Sequence, residues 1–200
     1  MSGIPTLETE RLILRPFRLE DAADVQRLAG DRSIADTTLN IPHPYKDGMA
    51  EGWISKHQPG FEGGKGVTFA ITCKTGDSLI GAIGLMGMVT GHQAELGYWI
   101  GQPYWSQGFC TEAGAAVLRY AFSELGLMRV HAGHLARNPA SGRVMRKLGM
   151  QQEGVRRQHV KKWDKYDDSV VYGILKAEWL ETANKSLEPT RAPEGARGSP

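Results

Sequence analysis

The chain has only two cysteines, Cys73 and Cys110, far apart in sequence. They make neither a metal-ligand spacing nor a disulfide framework, and they fit a reducing compartment. No stretch approaches about 20 consecutive apolar residues, which excludes a transmembrane helix. The opening MSGIPTLETERLILRP has no apolar run behind a basic start, so a secretory signal is not expected. Charge of either sign is not in excess: 24 Lys and Arg stand against 22 Asp and Glu. A formal charge of +2 leaves no electrostatic footprint for nucleic acid. A cytoplasmic protein with neither nucleic acid nor membrane as partner is therefore expected. No internal repeat is visible. The 200 residues, 40% hydrophobic and 23% charged, fit a single globular domain able to bury a sizeable core.

The final stretch, Thr182 to Pro200, has three prolines, no aromatic residue and nearly balanced charge. Such a segment buries too little apolar surface to offset its ordering entropy. It reads as a disordered tail behind a domain spanning residues 1–181. Within the domain, Leu12–Leu14 reads as a short strand and Glu20–Gly30 as a helix with Ala22, Val25, Leu28 and Ala29 on one face. Thr37–Tyr45 holds two prolines and reads as a loop, followed by one helix from about Asp47 to His57. Strands are expected at Val67–Cys73, Leu79–Met86, Glu95–Ile100, Arg129–Leu135, Gln151–His159 and Ser169–Leu175. A helix is expected over about Gly108–Leu125. Another over Asn138–Leu148 is marked by Asn138 at its N-cap, Pro139 in its first position and Gly149 past its end. This order predicts an α/β fold with a mixed sheet and helices on both faces.

Two apparent motifs fail on spacing. The glycine-rich Gly60–Gly66 lacks the first glycine of a phosphate-binding P-loop, where Pro59 stands, and lacks Ser or Thr after Lys65. It reads as a flexible loop. His131 and His134 fall on one strand with side chains on opposite faces, so they cannot share a metal, and no metal is expected.

Three segments carry chemistry. Trp105–Ala113 follows a strand and opens a helix, whose unpaired N–H groups and positive dipole end suit a phosphate, with Gly108 permitting close approach. Glu95 shares a strand face with Gly97 and Trp99, opposite Ala94, Leu96, Tyr98 and Ile100. A carboxylate there, near the sheet centre and beside aromatics, should have a raised pKa and could act as a base. Ser141 lies in the first turn of the helix that Asn138 caps, where its hydroxyl faces either ligand or solvent.

Taken together, four stretches resemble the GNAT superfamily of acyl-CoA-dependent N-acetyltransferases, and within it the ribosomal-protein N-acetyltransferase branch. They are TLETERLILRPFRLEDA (Thr6–Ala22), AELGYWIGQPYWSQGFCTEA (Ala94–Ala113), NPASGRVMRKLGM (Asn138–Met150) and WDKYDDSVVYGILKAEW (Trp163–Trp179). The resemblance implies a GNAT-like, mostly antiparallel, splayed sheet of six or seven strands that holds acetyl-CoA. Its pantetheine arm would lie between Leu96–Ile100 and Arg129–Leu135. Trp99, Ile100 and Asn138 would contact the cofactor, and the pyrophosphate would rest on the backbone amides of Ser106, Gln107, Gly108, Phe109, Cys110 and Thr111. The family's loop pattern of Gln or Arg, then Gly, then Gly or Ala reads here Trp105, Gly108 and Cys110. Met145 stands where many relatives carry a tyrosine acid, which leaves Ser141 as the nearest donor.

The expected reaction is direct transfer of the acetyl group to a primary amine, a peptide N-terminus or a small polyamine- or aminoglycoside-like amine. Glu95 would take the proton and strand N–H groups would hold the oxyanion. Asn40, His43 and Tyr45 of the proline-bearing loop, with Trp53, would line the acceptor entrance. Cys110 as a covalent acyl carrier has no base near it in sequence. A non-catalytic acyl-CoA-sensing module is the alternative from another class.

Overall fold

The computed structural model describes residues 3–185. Alternating apolar residues set the frame: Val67, Phe69 and Ile71 bury on one face of their strand while Ala70 and Thr72 bury on the other. A strand buried on both sides belongs to a sheet covered on both faces. The strands are β1 (Leu7–Glu8), β2 (Leu12–Arg15), β3 (Gly66–Cys73), β4 (Leu79–Val89), β5 (Gln93–Ile100), β6 (Arg129–Leu135), β7 (Gln151–Lys162) and β8 (Lys165–Leu175). They form one sheet in the order β1-β2-β3-β4-β5-β6-β8-β7. Every neighbouring pair is antiparallel except β5 and β6. The sheet is mixed and mostly antiparallel as expected, with eight strands rather than six or seven. The strand that sequence reading lacks is β1, whose two residues are too few to show an alternation.

The helices are α1 (Ala22–Ala29), α2 (Arg32–Thr37), α3 (Met49–Ile54), α4 (His57–Glu62), α5 (Phe109–Ser123), α6 (Pro139–Lys147) and α7 (Lys176–Lys185). On one face α5 sets Val117, Ala121 and Phe122 against Leu12, Phe69, Ile83 and Leu96. On the other, α1 and α3 set Val25, Leu28, Ala50 and Ile54 against Ala70, Ala82 and Trp99. The start of α1 is fixed by a buried pair: the two terminal guanidinium nitrogens of Arg15 each donate to Asp21 at 2.8 Å. Burial alone would raise the Asp21 pKa, but the bonds from Arg15 and from the Arg18 N–H outweigh it and hold the carboxyl below its usual range.

Three expectations are corrected. The single helix over Asp47–His57 is two, α3 and α4, and α4 takes in Gly60–Glu62, so the glycine-rich patch is not wholly a loop. Pro59 is tolerated in the first turn of α4, where its missing N–H costs no intrahelical hydrogen bond, and buried Phe61 anchors the turn to the core. The proline-bearing loop begins after α2, which Asp31 caps by accepting from the Ser33 N–H at 2.8 Å. The last helix continues through Thr182 to Lys185, so these four residues do not belong to a tail; the expected tail beyond them lies outside the described residues.

Candidate active site

The site is built on the one parallel pair. A crossover through α5 brings β6 alongside β5 in parallel, but the ladder joins only Gln93–Glu95 to Arg129–His131. Beyond Glu95 the two strands part, so the edge of Leu96–Ile100 that faces β6 has backbone groups that need partners from elsewhere. A cleft of about 740 Å³ opens there, lined by Leu96–Ile100, the start of α5 and one side of α6.

The loop entering α5 is held from three directions. Trp105 Nε1 donates to the Ile100 carbonyl at 2.6 Å, fastening the loop to the end of β5. Arg11 donates to the Gln107 carbonyl at 3.1 Å, lies 4.5 Å over the Phe109 ring, and bonds Glu112 at 2.7 Å. Gly108 caps α5 in the left-handed region at φ +82°, which lets the loop present the first N–H groups of α5 to the cleft. These are the features a pyrophosphate needs. Trp105, the departure from the family's pattern, thus acts as a staple of the loop.

Trp99, Ile100, Ser106, Gly108, Phe109, Cys110, Thr111 and Asn138 all line this cleft. Gln107 does not: its side-chain amide is spent on the Pro103 carbonyl at 3.1 Å. The Asn138 side chain caps α6 by accepting from the Ser141 N–H at 3.3 Å and donates to the Thr37 carbonyl at 3.1 Å. Burial pushes the Cys110 thiol up to about 12, which removes it as a nucleophile at neutral pH.

Glu95 and Ser141 flank the parting strands from opposite faces. Glu95 is half-buried, in register with Met86 on β4 and His131 on β6. His131 is held by the Ala94 carbonyl at 2.9 Å, and burial lowers its pKa against the opposing pull of Glu95. Ser141 lies on the α6 side, its Oγ 2.8 Å from the Tyr98 hydroxyl. Burial raises the Tyr98 pKa, so the phenol keeps its proton and can donate it. Tyr98 is not legible as a cleft residue, because alternation assigns it to the core face of β5. Met145 is buried at the wall of the same cleft.

A second cavity of about 320 Å³ adjoins the first and shares Thr38, Asn40, Met86, Gly97, Tyr98 and Trp99 with it. Of the expected acceptor residues, Asn40, Tyr45 and Trp53 line it. His43 lines neither cavity; it is exposed, with Nδ1 3.2 Å from the Gly30 carbonyl. The loop that carries Asn40, His43 and Tyr45 is pinned by Lys162, whose buried ammonium donates to the Leu39 and Ile41 carbonyls at 3.1 and 2.8 Å. Among the described residues, no three His, Cys, Asp or Glu side chains gather to hold a metal ion, and no helix is long and apolar enough to cross a membrane.

Residues 11–151 match the family model described as an acetyltransferase (GNAT) domain. An uncharacterized N-acetyltransferase of Bacillus subtilis, YoaA, is 32% identical over 173 residues, covering 86% of this chain and 97% of its own length. The [ribosomal protein uS5]-alanine N-acetyltransferase of Escherichia coli is 28% identical over half of this chain and 53% of its own. Among solved structures, a GNAT-family acetyltransferase from Bacillus anthracis superposes with a TM-score of 0.77 at 25% identity, over 86% of this chain and 99% of that one. Spermidine N-acetyltransferase from Vibrio cholerae, in complex with CoA and spermine, shares the fold with a TM-score of 0.74 at 20% identity, over 86% and 99%. The parted strands, the glycine-capped loop and the family match agree, and the chain belongs to the GNAT family as an acetyl-CoA-dependent N-acetyltransferase.

Proposed function

We propose that this protein transfers the acetyl group of acetyl-CoA directly to a primary amine, with Glu95 as the base and the Tyr98–Ser141 pair as the proton donor to the departing thiolate. One observation carries the reading: β5 and β6 part immediately after Glu95 and His131, with Glu95 on one face of the gap and Ser141 on the other. The free edge of Leu96–Ile100 offers N–H groups to the pantetheine amides and to the oxyanion that develops on the thioester carbonyl. The amides opening α5 hold the pyrophosphate. Glu95 takes the proton from the amine, directly or through a water, and the neutral nitrogen attacks. A thiol ionises near pH 8.5, so the thiolate leaves tolerably well and a proton from Ser141 assists rather than permits departure. Holding both substrates in one cleft removes the entropic cost of their encounter.

The relatives include an enzyme that acetylates a ribosomal-protein alanine and one that acetylates spermidine. Both acceptors present a primary amine, which is the chemistry Glu95 serves. The test is thiol release from acetyl-CoA with a panel of N-terminal peptides, polyamines and aminoglycosides. At least one amine should be turned over by the wild type, and Glu95→Gln should slow it by a factor of about 10²–10⁴. Tight acetyl-CoA binding with no turnover of any amine would point to a sensing module.

A further inference from the structure

The second cavity is unusual in what lines it. Val25, Ile41, Tyr45, Met49, Trp53 and Trp99 are among its lining residues, and no Asp, Glu, Lys, Arg or His side chain lines it. Its polar side chains are those of Thr38, Asn40, Tyr45, Thr68 and Tyr98, besides the indoles of Trp53 and Trp99. Glu51 acts on the Tyr45 hydroxyl but does not line the cavity, and Glu95 lines the adjoining cleft instead. It meets the cofactor cleft at Met86, Gly97 and Trp99. There the Met86 methyl lies so close over Gly97 that a Cβ on the glycine would collide with it. Met86 is 43% exposed and stands in register with Glu95. A flexible, unbranched thioether thus covers the passage between the base and the cavity and can yield to what enters.

We infer that this cavity receives one uncharged apolar group, a ring or a branched aliphatic chain, carried next to the amine that accepts the acetyl group. The inference rests on the proposed reading only in taking the cavity's occupant to be the acceptor. A polyamine would place a second ammonium group in this wall with no carboxylate to pair it, and a buried unpaired charge is costly. A sugar amine would bury several hydroxyls against few partners. An apolar group meets neither penalty and gains by leaving water. The volume of about 320 Å³ stands at the lower end of the roughly 300–1,000 Å³ of small-molecule sites, enough for a single ring. Apolar walls also disfavour the charged form of an arriving ammonium, which eases its deprotonation beside Glu95.

The experiment titrates the CoA-loaded full chain, by calorimetry, with 2-phenylethylamine, ethylamine, spermidine and two tripeptide amides led by phenylalanine or by serine. The phenyl-bearing amine should bind at least tenfold tighter than ethylamine, and spermidine no tighter than ethylamine. A matching preference between the two peptides places the apolar group on a peptide's first residue; a preference confined to the free amine places it on a small molecule. Ile41→Asp sets a carboxylate in the wall while leaving the backbone carbonyl that Lys162 holds. It should erase the phenyl preference and bring spermidine ahead, with the CoA thermal shift unchanged. Equal affinities of the wild type for 2-phenylethylamine and ethylamine, or tighter binding of spermidine, would overturn the assignment. Turnover is read separately: apolar binding without acetylation supports the cavity assignment and counts against the proposed reaction, whereas preferred acetylation of spermidine supports the reaction and overturns the cavity assignment.

Discussion

The Tyr98 hydroxyl stands 2.8 Å from Ser141 Oγ and 3.2 Å from the Ser141 carbonyl oxygen. The carbonyl can only accept, whereas either hydroxyl can donate to the other; when Tyr98 donates to Oγ, the serine hydroxyl keeps its own proton free for the cleft. A tyrosine from the sheet therefore stands behind the serine in a protein whose Met145 cannot supply a proton. The pair should behave as one unit. Tyr98→Phe and Ser141→Ala should each lower kcat about tenfold, less than the full range for an acid, because thiolate departure proceeds unassisted. The double variant should be little worse than either single one, and KM for acetyl-CoA should hardly move. Strictly multiplicative losses would separate the two residues.

Gly108 at φ +82° makes the phosphate assignment testable without chemistry. Acetyl-CoA at about a hundred times its Kd should stabilise the wild type by about 2.7 kcal/mol. Gly108→Glu adds a side chain in an unfavourable backbone region, costing about 1–2 kcal/mol, and sets a negative charge where the pyrophosphate would lie. The thermal shift with acetyl-CoA, measured from the variant's own unliganded Tm, should vanish. A full shift in this variant would move the phosphates elsewhere.

Much of this arrangement is legible in residues that act locally. The alternation at Val67–Cys73 and the cap, proline and glycine around α6 describe elements whose signals lie within a dozen residues. Glu95 is legible because a strand's two faces follow from alternation alone. The features that are not legible depend on tertiary contacts. Tyr98 reads as core until α6 brings Ser141 against it. His43 reads as a ligand contact, but it lines neither cavity and its ring meets the Gly30 carbonyl. The β7–β8 hairpin runs past the expected strand ends, from Gln151 to Leu175, because β7 is charged and mostly exposed and shows no alternation. Its tip carries Lys162, whose role in pinning the acceptor loop lies more than a hundred residues from the carbonyls it holds.

His57 makes the fold sensitive to acid. Both its ring nitrogens are buried without a hydrogen-bond partner, and the ring packs against Trp53 and Phe17 at 4.4 and 5.2 Å between centroids. Burial lowers its pKa from the usual 6.5 to about 4. The unfolded chain takes up this proton below about pH 6.5 and the folded chain only near 4, so the stability this neutral ring allows is complete above 6.5 and lost as pH falls toward 4. The loss across that window is roughly 3 kcal/mol. His57→Phe should raise Tm, and more at pH 5 than at pH 7. An equal gain at both values would mean that the native protein takes up the proton as readily as the unfolded chain.

The pH dependence of Glu95→Gln separates proton transfer from positioning. The substitution keeps the shape of the side chain and its place opposite Met86 and His131 but removes the base. Near neutral pH an aliphatic ammonium must lose its proton before it can attack, and without Glu95 only the small neutral fraction in solution reacts. The loss in kcat/KM should therefore be largest at low pH and shrink as pH rises toward the pKa of the amine, where the substrate arrives neutral. Acetyl-CoA affinity should stay close to that of the wild type if, as proposed, the cofactor rests on backbone amides of the α5 loop and the β5 edge. Steady-state rates from pH 6 to 10 with one accepted amine decide the matter. A loss that shrinks as pH rises assigns the proton to Glu95; a constant loss makes it an orienting group; equal rates at every pH remove it from the mechanism and leave desolvation and alignment of the amine as the main sources of rate.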